Sequence, residues 1–392
     1  MTEWKEYKLG EITIEGKGSY GIAAPAVDYD INKYTYLRIT DINDDGTINK
    51  DSLKSVDDIN ASNYLLKPND IVFARTGASV GRSYFYDGKD GALVYAGFLI
   101  KFSLNPDKVN PKILKYYTHS QSYYDWIVSV DNGATRGNIN AQTYASMPII
   151  LPERKRQDEI VSILSSLDDK IDLLHRENKT LEAMAETLFR QWFIEEAKED
   201  WEEGTIADFA EHYKASVNPR NNPIEMYYHY SIPAFDTGKE PILEQGENIQ
   251  SNKYLVLKNC ILFSKLNPHK DKRVWIMLDD IPDNAICSTE FQIVKPTNLE
   301  YLYFLYGWLT NKENYDEIAS GVGGTSGSHQ RIDPKTIFSY SCPQVDMKTI
   351  RNYNKCVESL FYKQRNNQQQ IQTLIQQRDS LLPKLMSGEV KI

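Results

Sequence analysis

Residues 160–174 read Ile160-Val-Ser-Ile-Leu164-Ser-Ser-Leu167-Asp-Asp-Lys-Ile171-Asp-Leu-Leu174, and apolar side chains recur in them at alternating spacings of four and three. The pattern continues to residue 192 and is interrupted at Asn178. Such a heptad pattern predicts a straight helix that keeps one apolar stripe against a partner. At about 1.5 Å per residue this helix would be about 50 Å long, too long for the interior of a small domain. Its predicted seam residues are Ile160, Leu164, Leu167, Ile171, Leu174, Leu181, Leu188 and Trp192.

A second heptad series lies near the carboxyl end of the chain, and its charge is opposite to that of the first. Residues 151–200 carry 8 Lys and Arg against 13 Asp and Glu, a net charge of −5, whereas residues 341–392 carry 8 against 4, a net charge of +4. Opposite charges favour pairing, so we expect the two helices to form an antiparallel coiled coil. Polar seam residues (Asn178, Gln364 and Asn367) would fix the register or leave part of the seam for another protein. In the alternative arrangement, each helix packs on its own domain. The second seam comprises Val357, Leu360, Ile371, Leu374, Leu381 and Leu385.

The two helices follow two copies of a repeat. Trp4 and Trp201 begin similar short motifs 197 residues apart, and the apolar run at 70–75 is answered by the run at 259–265. Residues 133–140 are likewise answered by residues 324–333. Shared order and near-constant offset indicate a duplicated chain. The fold class expected is α+β: two mixed α/β domains (1–152 and 201–343) separated by two long helices (153–200 and 344–392), with pseudo-twofold duplication.

Composition narrows the possible functions. The 392 residues carry a net charge of −9, with 41% hydrophobic residues, so each domain can bury a core. Four cysteines and six histidines are too scattered to suggest a metal cluster, and we expect reduced thiols, a cytoplasmic location and no metal. No apolar run approaches the roughly 20 residues of a membrane helix. The glycine-rich stretch at 321–327 is followed by Ser328 instead of the lysine of a phosphate-binding loop, and we expect no complete catalytic site in this chain.

Four polar loops, two in each copy, carry side chains suited to DNA. Arginine can bind guanine through two hydrogen bonds, and glycine or serine lets the backbone approach a phosphate. The alternative is that these loops are ordinary solvated turns. The candidate DNA-binding residues are Arg75, Thr76, Ser79, Arg82, Arg136 and Asn138 in the first copy, and Lys265, Asn267, His269, Lys270, Lys272, Arg273, Ser328, Gln330 and Arg331 in the second.

Taken together, these features resemble the specificity subunits of type I restriction–modification systems. The resemblance covers essentially the whole chain and depends most on the helix patterns. It is carried by Tyr36-Leu-Arg-Ile-Thr-Asp41-Ile42, Asp70-Ile-Val-Phe-Ala-Arg-Thr-Gly77, Leu151-Pro152, Gln157-x-x-Ile160, Leu188-Phe189-x-x-Trp192-Phe193 and the closing Arg378-x-x-Leu381-Leu-Pro-Lys-Leu-Met-Ser-Gly388-Glu389.

The resemblance implies a non-enzymatic subunit that recognises double-stranded DNA. Each domain would be a target-recognition domain for one half of a split site, and the helices would fix the gap between the halves. The helices would also dock two methyltransferase subunits, which bind S-adenosylmethionine, and a restriction subunit would join to translocate and cut DNA. This chain itself would hold no cofactor. Two other hypotheses are a scaffold that assembles partner proteins without touching DNA, and a fused enzyme whose site has no recognisable motif.

Overall fold

A computed structural model describes residues 4–131, 137–270, 272–321 and 330–390. The chain divides into two compact units, Met1–Leu173 with Gln370–Ile392, and Leu174–Gln369. Two long helices each contribute residues to both units. These are α4 (Arg154–Arg190), which continues as a π-helical turn over Gln191–Glu195, and α9 (Met347–Met386).

The first unit contains two four-stranded sheets, of strand order β2-β9-β6-β7 and β3-β5-β4-β8, and the antiparallel pair β1-β10. Its strands are β1 (Lys5–Lys8), β2 (Ser19–Tyr20), β3 (Ala26–Val27), β4 (Tyr34–Leu37), β5 (Lys54–Val56), β6 (Asp70–Ala74), β7 (Ser83–Tyr86), β8 (Leu93–Tyr95), β9 (Leu99–Ser103) and β10 (Pro148–Leu151). Its short helices are α1 (Ile113–Tyr117), α2 (Gln121–Asp131) and α3 (Ala141–Ala145).

The second unit repeats this plan, with sheets of order β12-β20-β17-β18 and β13-β16-β19-β14-β15 and the antiparallel pair β11-β21. Its strands are β11 (Glu203–Thr205), β12 (Ala210–Tyr213), β13 (Ser216–Val217), β14 (Met226–Tyr230), β15 (Ile242–Gln245), β16 (Lys253–Leu255), β17 (Cys260–Ser264), β18 (Val274–Met277), β19 (Ala285–Cys287), β20 (Phe291–Pro296) and β21 (Ser341–Pro343). Its short helices are α5 (Ile232–Asp236), α6 (Leu302–Thr310), α7 (Lys312–Ser320) and α8 (Pro334–Phe338).

The central strands β6 and β17 occupy the same place in the two copies. Every residue of β6 is buried, because alternate side chains point to opposite faces and each face packs on a different core. Ile71 and Phe73 belong to one apolar cluster and Val72 to another. In β17 the same alternation places Phe263 in one cluster and Leu262 in a second. The duplication and the α+β class predicted from the sequence are therefore present in the strand pairing.

An apolar run that reads as one strand in sequence forms two strands in the structure. The run 93–102 reads as a single strand in sequence, but the chain turns after β8 and β9 begins at Leu99. A hydrogen bond from the Leu99 N–H to the Ala96 carbonyl closes the turn (2.8 Å). Apolar residues continue through it, so hydrophobicity alone does not mark the break.

The long helices are antiparallel in each unit. In the first unit, Arg378 of α9 lies against Asp168 of α4, and Arg156 donates a hydrogen bond to the Val390 carbonyl. The predicted antiparallel pairing is confirmed by these contacts. All fourteen predicted seam residues are buried or half-buried.

The ends of the helices also enter the domain cores. Ile160 and Leu164 of α4 belong to the main core of the first unit together with Leu385 of α9. In the second unit, Phe189 of α4 and Val357 of α9 share a core with the sheet. Pairing with the other helix and packing on a domain, which the sequence left as alternatives, therefore both occur.

A polar layer interrupts the seam in the second unit. Asn367 is 2% exposed, and its Nδ2 donates to Glu177 Oε2 and Asn178 Oδ1, both at 2.9 Å. Gln364 Nε2 donates to the Asn178 carbonyl at 3.0 Å. A buried amide is costly unless it is paired, so one register of the two helices satisfies these groups and a shifted register would not. The predicted role of these polar seam residues in fixing register is consistent with these contacts.

Asp168 is the centre of an ion cluster in the first unit. Its carboxylate lies 2.6 Å from Lys115 Nζ and 3.2 Å from Arg378 Nη1, and it accepts a hydrogen bond from the Tyr116 hydroxyl at 3.0 Å. Burial raises the pKa of Asp168, but the charges of Lys115 and Arg378 and the hydrogen bonds outweigh burial and hold the pKa below its ordinary value.

Replacing Asp168 with asparagine should destabilise the first unit by about 2 kcal/mol at pH 7, because charged hydrogen bonds and two cations lose their partner. The folded-state pKa is lower than the unfolded one, so this stabilisation is present above the unfolded pKa. It is lost as the pH falls through the folded pKa. Urea denaturation should therefore separate Asp168→Asn from the wild type at neutral pH and bring them together in acid. Asp169→Asn is the control, because Asp169 is 62% exposed and its pair with Lys89 is worth little. An Asp168→Asn deficit that does not change with pH would contradict the assignment.

Candidate nucleic-acid interface

The first candidate loop is the hairpin between β6 and β7, and Arg75 begins it. The Arg75 N–H donates to the Phe98 carbonyl at 3.1 Å, and the Arg75 carbonyl accepts from the Ile139 N–H at 2.9 Å. A β-bridge between Thr76 and Asn138 brings in a distant segment, since Asn138 lies 63 residues after Arg75. Three candidates that the sequence placed on two separate loops therefore lie together.

The Arg75 side chain is held in a defined position. Its Nε and Nη2 both donate to Asn138 Oδ1 at 3.3 Å, and the guanidinium lies 4.9 Å from the centre of the Tyr20 ring. Stacking on an aromatic ring and an amide partner restrict the rotamers of arginine without neutralising its charge. Tyr20, 42% exposed, is a functional candidate that sequence reasoning missed.

At the other end of the hairpin, Arg82 is bound by residues of its own unit. Arg82 Nε is 2.7 Å from Asp44 Oδ1, and Arg82 Nη1 donates to the Ile42 carbonyl at 3.1 Å. Ser79 is 9% exposed, which leaves its hydroxyl little surface. Gly77 and Gly81 both have positive φ angles (71° and 85°), which favour glycine in this tight connection. Arg136 of the second loop lies outside the described residues.

The backbone around Arg75, Thr76 and Asn138 forms a corner of the first unit. The second unit has an equivalent corner with different side chains. The Lys265 N–H donates to the Glu290 carbonyl at 3.0 Å, and the Lys265 carbonyl accepts from the Ile332 N–H at 3.0 Å. Leu266 forms a β-bridge with Arg331, as Thr76 does with Asn138. Position by position, Lys265 therefore corresponds to Arg75 and Arg331 to Asn138.

An ion pair marks this second corner. Arg331 Nη2 and Nε contact the two carboxylate oxygens of Glu290 at 2.7 and 3.0 Å, and this hydrogen bonding raises the pKa of the guanidinium. The Asn267 N–H donates to the Gln330 carbonyl at 2.9 Å, and Asn267 adopts a positive φ of 47°. The backbones of Asn267 and Gln330 are thus part of the corner.

The remaining basic candidates of the second unit do not all face outward. Arg273 is 8% exposed and binds Asp236 through two hydrogen bonds of 2.6 and 2.9 Å, an arrangement that stabilises the domain. Lys272 Nζ donates to the Thr310 carbonyl at 2.8 Å. His269 and Lys270 are exposed. Ser328 lies outside the described residues.

Lys214 is a further basic residue of the second unit that sequence reasoning missed. Burial lowers the pKa of His212, and the positive charges of Lys214 and Lys265 lower it further. The His212 ring stacks on Phe338, with 5.5 Å between ring centres.

Both corners present hydrogen-bond donors on backbones fixed by neighbouring strands. Such groups suit the recognition of acceptor atoms on bases or phosphates. Among the residues that the structure describes, no group of three or more His, Cys, Asp or Glu side chains is placed to hold a metal ion. Within the same residues, no helix has the length and apolar character needed to cross a bilayer.

Comparison with known proteins gives a consistent result. Residues 1–183 match a family model described as the type I restriction modification DNA specificity domain. The chain is 26% identical over 318 residues to the type I restriction enzyme MjaIX specificity subunit of Methanocaldococcus jannaschii, a match that covers 73% of this chain and 70% of that protein. It is 28% identical over 206 residues to the HindI specificity subunit of Haemophilus influenzae, covering 50% of this chain and 42% of that protein.

The fold also has a counterpart among solved structures. The S subunit of a type I restriction-modification system from M. genitalium superimposes with a TM-score of 0.59 at 16% identity, covering 98% of this chain and 96% of that one. Since the identity is low, this likeness concerns the fold. The family model and the two relatives show that this chain is similar to the specificity subunits of type I restriction–modification systems.

Proposed function

We propose that each unit reads one half of a split double-stranded DNA target. The observation that carries this proposal is the corner built twice, at Arg75–Asn138 and at Lys265–Arg331, on the same strand framework. A duplicated reader with different side chains at equivalent positions can recognise two different half-sites. The role is recognition, and the chemistry belongs to partner subunits.

Partner subunits would also supply much of the affinity. The chain carries a net charge of −9, whereas affinity for DNA depends strongly on cations placed at phosphates. We therefore expect the lone chain to bind DNA weakly. In our proposal two methyltransferase subunits, holding S-adenosylmethionine, add phosphate contacts, and a restriction subunit joins the same assembly.

Docking of those subunits would use the outer faces of the long helices. The predicted seam residues are buried or half-buried within the chain, so they are occupied by pairing and core packing. On α4, Leu173 and Met184 are 48% and 47% exposed, and apolar side chains of this kind suit a protein interface. We infer that partner helices contact α4 through this outer face.

The test is co-expression of the chain with its partner methyltransferase, followed by copurification and methylation mapping. We expect a stable complex that methylates adenines in a single bipartite motif. Met184→Asp should reduce copurification at least tenfold while leaving the thermal unfolding of the chain unchanged, because the side chain is exposed. Glu186→Ala, a change at another exposed residue of the same helix, is the control.

The possible results separate the two parts of the proposal. A complex that forms but methylates without any sequence preference would leave only the role of a protein scaffold. A specific complex that tolerates Met184→Asp would place the docking surface elsewhere. Methylation by the chain without a partner would contradict the division of labour.

A further inference from the structure

A tight turn between β8 and β9 presents one side chain beside Arg75. Three backbone hydrogen bonds hold the turn to its neighbours: the Ala96 N–H donates to Leu37 (3.0 Å), the Gly97 N–H to Ile22 (2.8 Å), and the Phe98 carbonyl accepts from Arg75 (3.1 Å). A turn anchored on both sides fixes the direction of its side chains. Such preorganisation is what a recognition residue needs.

The second unit contains the same turn. The Ser288 N–H donates to Tyr230 (3.0 Å), the Phe291 N–H returns to Ser288 (2.9 Å), and the Glu290 carbonyl accepts from Lys265 (3.0 Å). Glu290 therefore occupies the position of Phe98. The backbone hydrogen bonds of Ala96, Phe98 and Leu99 correspond to those of Ser288, Glu290 and Phe291, while the side chains of Phe98 and Glu290 differ completely in chemistry.

The Phe98 side chain is not packed in the apolar core of its unit. It is 60% exposed, whereas its neighbours Ala96 and Leu99 are 5% and 0% exposed. One exposed apolar residue needs no special explanation. This one, however, lies on a fixed turn next to Arg75, whose guanidinium stacks on the exposed Tyr20 ring.

We propose that Phe98 is a specificity-determining residue whose ring contacts the 5-methyl group of a thymine in the half-site read by the first unit. The inference rests on the function proposed above. Apolar contact with the thymine methyl is a direct way to distinguish this base in the major groove, and phenylalanine can supply it. The carboxylate of Glu290, bound by Arg331, cannot make that contact, so the two units differ in base preference at this position.

The experiment measures binding of the complex of this chain with its methyltransferase to duplexes that carry the mapped motif. Each thymine of either half-site is replaced in turn by deoxyuridine, which removes the methyl group and keeps every hydrogen-bonding atom. For the wild type we expect about fourfold weaker binding at one thymine of one half-site, the effect of burying a single methyl group. Phe98→Ala should bind the thymine and deoxyuridine duplexes equally there, and Phe98→Leu should restore part of the difference.

Ile59→Ala is the matched control, because Ile59 is an apolar residue of the same unit that is 95% exposed and distant in sequence from the turn. It should keep the wild-type response to deoxyuridine. A response that persists in Phe98→Ala would overturn the inference, as would a wild type that responds at no thymine. A wild-type complex without preference for the motif over scrambled DNA would instead overturn the proposed function itself.

Discussion

Replacing Phe189 with alanine should lower the free energy of unfolding of the second unit by about 3–5 kcal/mol, the usual cost of removing a buried aromatic ring. Phe189 is 2% exposed, at the end of α4. Its ring centre lies 5.2 Å from that of Phe193, 6.0 Å from that of Trp308 and 6.3 Å from that of Tyr353. The ring thus joins α4, α6 and α9, and its loss would leave a cavity among three elements.

Phe189 packs directly against the backbone of α6. A Cβ atom added at Gly307 of α6 would lie 2.2 Å from the Phe189 ring, so glycine at this position allows the ring to approach the α6 backbone. Urea denaturation followed by tryptophan fluorescence measures the effect, since Trp308 reports directly on the site. Met184→Ala on the same helix, at a side chain 47% exposed, should change stability by less than about 0.5 kcal/mol. Equal small losses in both variants would show that the helix end does not anchor the unit.

The heptad pattern predicted the helices well but not the residues that matter most at their ends. Leu188 and Trp192 were predicted seam residues and are half-buried, whereas Phe189 and Phe193 are each 2% exposed. A heptad pattern predicts only a narrow stripe of apolar side chains that faces one partner helix. The last turns of α4 face a domain core as well, which demands a wider apolar face, and the π-helical turn at 191–195 changes the register there.

Sequence alone located the central strands but could not order them into sheets. The runs at 70–75 and 259–265 are apolar enough to predict β6 and β17. Strand pairing, however, depends on contacts between residues far apart in the chain, such as the parallel pairing of β4 with β8. The turn that contains Phe98 was missed for a related reason. An apolar residue within an apolar run is expected to be buried in a strand.

Contacts between distant residues also decide which basic candidates face solvent. Lys270, Lys272 and Arg273 form a basic cluster in sequence, yet Arg273 is turned inward by Asp236, which lies 37 residues earlier. Charge composition shows that cations are present without showing which of them have partners. Arg75 and Asn138 illustrate the opposite case, since a contact across 63 residues makes one corner from two weak loop signals.

Replacing Arg75 with alanine should abolish discrimination at one base pair of one half-site and leave the other half-site readable. Its guanidinium is positioned by Asn138 and Tyr20, and a well-placed arginine contact to a base contributes about 1–3 kcal/mol of discrimination. The quantity to measure is the ratio of methylation of a target changed at that base pair to methylation of the correct target. In the complex with the methyltransferase, Arg75→Ala should raise this ratio about 10- to 100-fold above the wild-type value. Lys265→Ala, at the equivalent position of the second unit, should produce the reciprocal loss in the other half-site.

Arg82→Ala is the control for Arg75→Ala. Arg82 lies on the same hairpin, but it is bound to Asp44 and to the Ile42 carbonyl, so Arg82→Ala should change discrimination much less than Arg75→Ala. Both substitutions remove the same charge, so a difference between them reflects the position of the side chain. Loss of a phosphate contact alone would weaken binding to all sequences equally. If Arg75→Ala lowers methylation of correct and altered targets by the same factor, Arg75 positions the backbone and does not read a base. If it relaxes both half-sites together, the model of two independent readers is wrong.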